Sequence, residues 1–199
     1  MTTGETAAGT SPPDWTGRFI LVFGVVLALI HVYFNIFGVL SGLWRNAIHF
    51  AGFSFLCALI YPAFQGEFAK SRAFKTFDVI FGLLVAASAL YLIAAEDAVY
   101  ARGVRLSTTE WIAGGILILG ALEFTRRTTG LIIPILIILA LTYVGWWGQY
   151  LGGVFRFAGL SAETILFRSI YGDDGIFGTI ASISSSFVFM FILFGAFLL

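Results

Sequence analysis

The residues of this chain able to do chemistry are few, and many of them sit one helical turn apart. His31 and Asn35 are four apart, as are Arg45 and His49, so each pair would share one face of a helix. A charged group in hydrocarbon costs about 2.5–3.5 kcal/mol on insertion scales, so each one needs a partner or a task. For His31 and Asn35, with Gly38 and Gly42 extending the face, two readings stand. One is the polar lining of a substrate path; the favoured one is interhelical hydrogen bonding with close packing at small residues. Arg45 and His49 could act as a pH-sensitive pair, but a snorkelling arginine beside an interfacial histidine is the plainer account.

Two further groups stand near expected helix ends. Asp78 falls in the first turn of an apolar stretch, where a carboxylate suits the positive end of the helix dipole. Glu123 is followed at i+3 and i+4 by Arg126 and Arg127, a spacing that permits intrahelical ion pairs. Together these read as anchors of helix ends at a membrane surface. The last polar group is Ser184-Ser185-Ser186, with Ser182, just after Gly175-Ile176-Phe177-Gly178. Gly and Ser at the head of a membrane helix can free carbonyls and hydroxyls for ion or substrate contact. Serines used only for helix packing are the favoured alternative.

The elements that must position these residues are membrane helices. The 199 residues are 59% hydrophobic and 11% charged, against about 25% charged in ordinary soluble domains. Runs such as Phe19 to Ile30 and Leu131 to Leu141 are apolar on every face, which excludes the alternation of a β-barrel. The pattern predicts an all-α polytopic bundle with about six transmembrane helices, at 19–40, 47–64, 77–95, 111–124, 131–150 and 176–199. Within the longer connection 151–175, the stretch 162–171 is helical in pattern, with Ser161 as N-cap and Glu163 in the first turn. It could lie along the membrane surface or form a solvated loop helix. Residues 1–17 read as a disordered polar tail.

Charge and cysteine content exclude several functions. A formal net charge of +0 gives no electrostatic case for nucleic acid. Cys57 is the single cysteine, so there is no internal disulfide framework. Neither a metal cluster, a nucleophile elbow nor a phosphate-binding glycine loop is visible, so no enzyme is expected. Tyr143, Trp146, Trp147 and Tyr150 read as an interfacial aromatic belt. The dense positive clusters at Lys70–Lys75 and Arg126-Arg127 fall on one side, which by the positive-inside rule places the N-terminus in the cytoplasm. After Asp174 no charge follows, and the chain stops on Phe197-Leu198-Leu199 without an interfacial close, which predicts the front of a longer protein.

At these residues the chain resembles the fused permease subunit of TRAP transporters, the tripartite ATP-independent periplasmic systems, in the subgroup that works with TAXI-type solute-binding proteins. The matching pieces are Arg45-x-x-x-His49 leading to Tyr61-Pro62, then Asp78, Tyr91 and Arg102-Gly103. They continue with Leu122-Glu123-x-x-Arg126-Arg127-x-x-Gly130, and with Gly175-Ile176-Phe177-Gly178 through Phe187-Val188-Phe189 to Leu193-Phe194-Gly195-Ala196-Phe197-Leu198.

The resemblance implies a permease component of a secondary transporter in a bacterial or archaeal inner membrane. Such a system takes up an organic solute delivered by a periplasmic binding protein, usually with sodium as coupling ion and no other cofactor. It implies a four-helix small-subunit-like scaffold over 18–129 and the start of the large transport part over 130–199. The expected partners are the bilayer, the remainder of the large permease part and the TAXI-type binding protein. The family's sodium and substrate hairpins fall mostly outside this stretch, so no transport by this chain alone is expected. The alternative is a self-contained small membrane protein acting as an assembly or interaction partner.

Overall fold

A computed structural model of the chain describes residues 15–38, 40–64 and 71–198. Among the described residues there are seven α-helices and no strand. They are α1 (Trp15–Phe37), α2 (Gly42–Ile60), α3 (Arg72–Arg102), α4 (Thr108–Thr129), α5 (Ile132–Gly145), α6 (Ala162–Leu166) and α7 (Thr179–Leu198). Two π-helical turns interrupt the pattern, Phe167–Tyr171 after α6 and Ser184–Val188 inside α7. The chain is an all-α helical bundle.

Local chemistry explains where the helices start and stop. Ser41 caps α2, its Oγ accepting from the Trp44 amide at 3.3 Å. Ser107 and Glu110 form a reciprocal capping box at the start of α4. The helix ends at Gly38 and Gly103, with φ of 60° and 65°, lie in the left-handed region that glycine enters without steric cost. Pro62 follows the last residue bonded into α2, Tyr61, and bars continuation. Because these caps and ion pairs lie beyond the apolar runs, α3 and α4 are longer than the expected 77–95 and 111–124. α1 likewise begins at Trp15, inside the expected tail; residues 1–14 of that tail, Lys70 of the positive cluster and Leu199 lie outside the described residues.

Packing rests on small residues. α2 and α3 form the most extensive helix pair, with Ala47, Ala51, Ala58, Val85 and Ala89 buried between and around them. A Cβ on Gly82 would stand 2.6 Å from Ala58 Cβ, and one on Gly120 would stand 2.7 Å from Val85 Cγ2. Such contacts are the means by which helices associate where lipid removes the hydrophobic difference.

The outer faces are apolar to an extent that water would not tolerate. Ile132 is 74% exposed, Leu136 58%, and Phe191 74%. Trp15–Phe37, Gly42–Ile60, Arg72–Arg102 and Thr179–Leu198 are each long and apolar enough to cross a membrane, and α5 is a shorter apolar helix. The protein is membrane-embedded.

Two stretches differ from expectation. The fifth segment is α-helical only to Gly145 and finishes as a 3-10 turn over Trp147–Tyr150. There Tyr143 Oη donates to Phe155 O at 2.7 Å and Trp147 Nε1 to Thr142 Oγ1 at 3.2 Å, while Trp146 and Tyr150 face outward. The helix beginning at Ala162 packs one face onto the bundle and leaves Ala162 and Arg168 exposed on the other. Leu166 and Ile170 are buried and Leu166 packs onto the bare Gly114. Glu163 accepts from the Leu106 amide at 2.8 Å, so α6 and its π turn are tied into the bundle.

Candidate functional site

Two polar clusters are built from the residues singled out in the sequence. The first joins α1, α2 and α7 without a single carboxylate. α1 brings His31 and Asn35 one turn apart, and α2 brings Asn46 and His49 at i, i+3. The start of α7 brings Ser182 and Ser184 to Ser186, the last three in its π turn. His31 is fully buried, with Nδ1 2.8 Å from Leu27 O and Nε2 2.9 Å from His49 Nδ1. His49 Nε2 lies 3.1 Å from Ser184 Oγ.

A carbonyl oxygen can only accept, so His31 Nδ1 carries a hydrogen. With both rings neutral, His31 Nε2 then accepts from His49 Nδ1, and His49 Nε2 accepts the Ser184 hydroxyl. The direction of the whole chain follows from one carbonyl. A proton added to His31 reverses it: His49 Nδ1 becomes the acceptor, and His49 Nε2 donates to Ser184. A second proton would set two N–H groups against each other across 2.9 Å. The pair therefore accommodates one proton and not two.

Asn46 is the hub beside this chain. Its Nδ2 donates to Phe177 O at 2.8 Å, Gly178 O at 3.2 Å and Ser182 Oγ at 2.8 Å, while its Oδ1 accepts from Ser185 Oγ at 2.9 Å. Two amide hydrogens serve three acceptors, so one bond is shared. Asn35 Nδ2 adds a bond to Ser185 O at 3.0 Å and one to His31 O at 2.8 Å. Of the three serines, Ser184 and Ser185 bond across helices, whereas Ser186 Oγ donates back to Ser182 O at 2.5 Å. Asn46 and Ser182 also line a polar cavity of about 360 Å³ that reaches Glu96, Tyr100 and Asp173.

Arg45 and His49 do not bond to each other; His49 is engaged by His31 and Ser184 instead. Arg45 Nε is buried with no hydrogen-bond partner among the described residues.

The second cluster lies where the end of α2, the start of α3 and the end of α4 meet. Glu123 accepts from Arg126 Nε at 2.7 Å and from Arg127 Nε at 2.9 Å, the intrahelical pairs their spacing allows. Arg127 goes further: its side chain is 1% exposed and Nη1 pairs with Asp78 Oδ1 at 2.8 Å. Its guanidinium also sits 5.7 and 5.4 Å from the Phe81 and Phe124 ring centres. Arg126 Nη2 donates to Ala63 O at 2.8 Å and Arg127 Nη1 to Tyr61 O at 2.9 Å, so α4 holds the end of α2. Asp78 is buried inside α3 and accepts from the Ala63 amide, so its partners are long-range as well as any helix dipole.

A third pair, Arg102 with the buried Glu110, closes the opposite turn between α3 and α4. Tyr171 Oη donates to Glu110 O at 2.8 Å, and burial, with the Glu110 carboxylate adding to it, pushes this phenol up from its ordinary range.

The sequence reading passed over Asn46, which it placed in a connection, and the Asp78–Arg127 pair. The repeat Asn35, His31 on one helix against Asn46, His49 on the next was a usable signal for the former. Spacing alone carries none for the latter.

Fold and site together define a membrane-embedded α-helical bundle with one charged clamp and one neutral polar network. No family model, no curated protein and no solved structure matches the chain.

Proposed function

We propose that this chain is a membrane permease component of a TRAP-type secondary transporter, non-enzymatic, acting in solute uptake with a periplasmic TAXI-type binding protein. The observation that carries the reading is the interrupted last helix. Gly175-Ile176-Phe177-Gly178 forms a tight turn, and the helix after it carries a π turn whose serines are hydrogen-bonded to α1 and α2. π turns inside α-helices are found frequently at functional sites, and secondary transporters place helix irregularities about a polar centre.

On this reading α1 to α4 form a scaffold whose charged clamp fixes helix ends, and α7 opens the part that moves. The N-terminus lies on the cytoplasmic side of a bacterial or archaeal inner membrane. Sodium is the coupling ion, held by the remainder of the large permease part.

The test is solute uptake by proteoliposomes holding the large permease part and a loaded TAXI-type binding protein, with and without this chain. The reading expects sodium-driven uptake only when the chain is present, and none from the chain alone. Equal uptake without the chain, or no association between it and the large part on co-purification, would overturn it.

A further inference from the structure

A groove of about 620 Å³ runs between α4, α5 and the start of α7, away from both polar clusters. Its wall is apolar, with Leu122 from α4, Ile137 and Leu141 from α5, and Ile180 from α7. Arg168 and Asp174 line the same groove. Both are exposed, and neither has an ion-pair or side-chain hydrogen-bond partner among the described residues. Opposite charges that share an apolar groove without meeting call for a ligand that is itself dipolar and carries a long apolar part.

The backbone holds the two charges in place. Ile176 N donates to Ser169 O at 2.8 Å and Thr179 N to Asp173 O at 3.2 Å, which closes the turn between the π segment and α7. A Cβ on Gly175 would stand 2.6 Å from Ser169 O, so the turn is packed against its own backbone. The turn's backbone is already set, so a ligand need order only the two side chains.

We propose that this groove binds a zwitterionic phospholipid with a primary-amine headgroup, a phosphatidylethanolamine. The phosphate lies on Arg168, the ammonium donates to Asp174, and one acyl chain follows the wall of Leu122, Ile137, Leu141 and Ile180. Arginine suits phosphate because its guanidinium presents paired donors. The carboxylate decides between headgroups. An anionic lipid offers phosphate but would meet Asp174 with like charge. A choline headgroup has no N–H to give a carboxylate and is recognised by aromatic cages, and the lining residues include no aromatic ring. The site is independent of the transporter reading, since it rests on other residues and other chemistry.

Native mass spectrometry of the purified chain, released from micelles doped in turn with phosphatidylethanolamine, phosphatidylcholine and phosphatidylglycerol of equal chain length, tests this. Phosphatidylethanolamine adducts should survive at least about tenfold better than either other lipid, the lower end of what one charge-assisted hydrogen bond is worth. D174N should abolish the preference over phosphatidylcholine while keeping adducts of both, and R168Q should lose adducts of all three lipids. Equal retention of the three lipids by the unaltered chain would overturn the proposal without any variant being needed. So would an unchanged preference in D174N, or a dimer that excludes lipid from the groove.

Discussion

The two polar clusters solve the same problem in opposite ways. Around Asp78, Glu123, Arg126 and Arg127, formal charges are paired and locked: Arg127 is 1% exposed and tied to two carboxylates, a carbonyl and two aromatic rings. Around His31, Asn46, His49 and the serines, no group need carry a charge, and each link is one hydrogen bond between neutral partners. A clamp of charges has one arrangement, because separating any partner leaves a buried charge behind. A neutral network can be rewired, because hydroxyls rotate and imidazoles change tautomer at small cost. The clamp joins α2, α3 and α4 to each other, and the network joins α7 to α1 and α2. The molecule therefore keeps its fixed chemistry inside the early helices and its adjustable chemistry at the contact with the last one.

That contrast is breakable, and the largest effect should come from the clamp. Asp78→Asn leaves Arg127 with Glu123 as its one carboxylate and should cost about 1.5–3 kcal/mol in a reversible unfolding titration in detergent. The double variant Asp78→Leu with Arg127→Met should recover much of that loss, since it removes both charges; a loss equal to the sum of the single changes would mean the pair is not coupled. Next comes the hub of the network. Asn46→Leu removes several interhelical bonds, each worth about 0.6 kcal/mol and at most about 1.7, so a loss of about 1–2 kcal/mol is expected in the same titration. Ser184→Ala should cost about 0.6 kcal/mol. Ser186→Ala should be nearly silent, because its hydroxyl only returns to a carbonyl of its own helix. If Ser186→Ala proves as costly as Asn46→Leu, the division between cross-helix and local serines is wrong.

Much of the bundle could be read before the structure, and the reasons for the remainder are physical. Apolar runs locate α1, α2 and α7 well, since the need to cover about 30 Å of hydrocarbon is a strong constraint on composition. Composition does not locate helix ends: past the apolar stretch, α3 runs on to Arg102, where the Gly103 cap and the Arg102–Glu110 ion pair close it. The i+3 and i+4 pairs from Glu123 are local and so legible, whereas Asp78 with Arg127 is a tertiary event that spacing does not encode. The two π turns were likewise invisible, because residue propensity does not separate a π turn from the α-helix around it; both hold buried residues, Ile170 and Ser185. His31 and His49 were each noticed with a neighbour on the same helix, and their true partner was each other.

Nitrogen NMR of the chain with 15N-labelled histidine, in bilayers at neutral pH, tests the adjustable network most directly. With neutral rings, the hydrogen-bond chain from Leu27 O requires the Nδ1–H tautomer at both His31 and His49, and Ser184→Ala should shift His49 Nε2 far more than any His31 nitrogen. Nε2–H tautomers at both rings, or a His49 signal indifferent to Ser184, would contradict it.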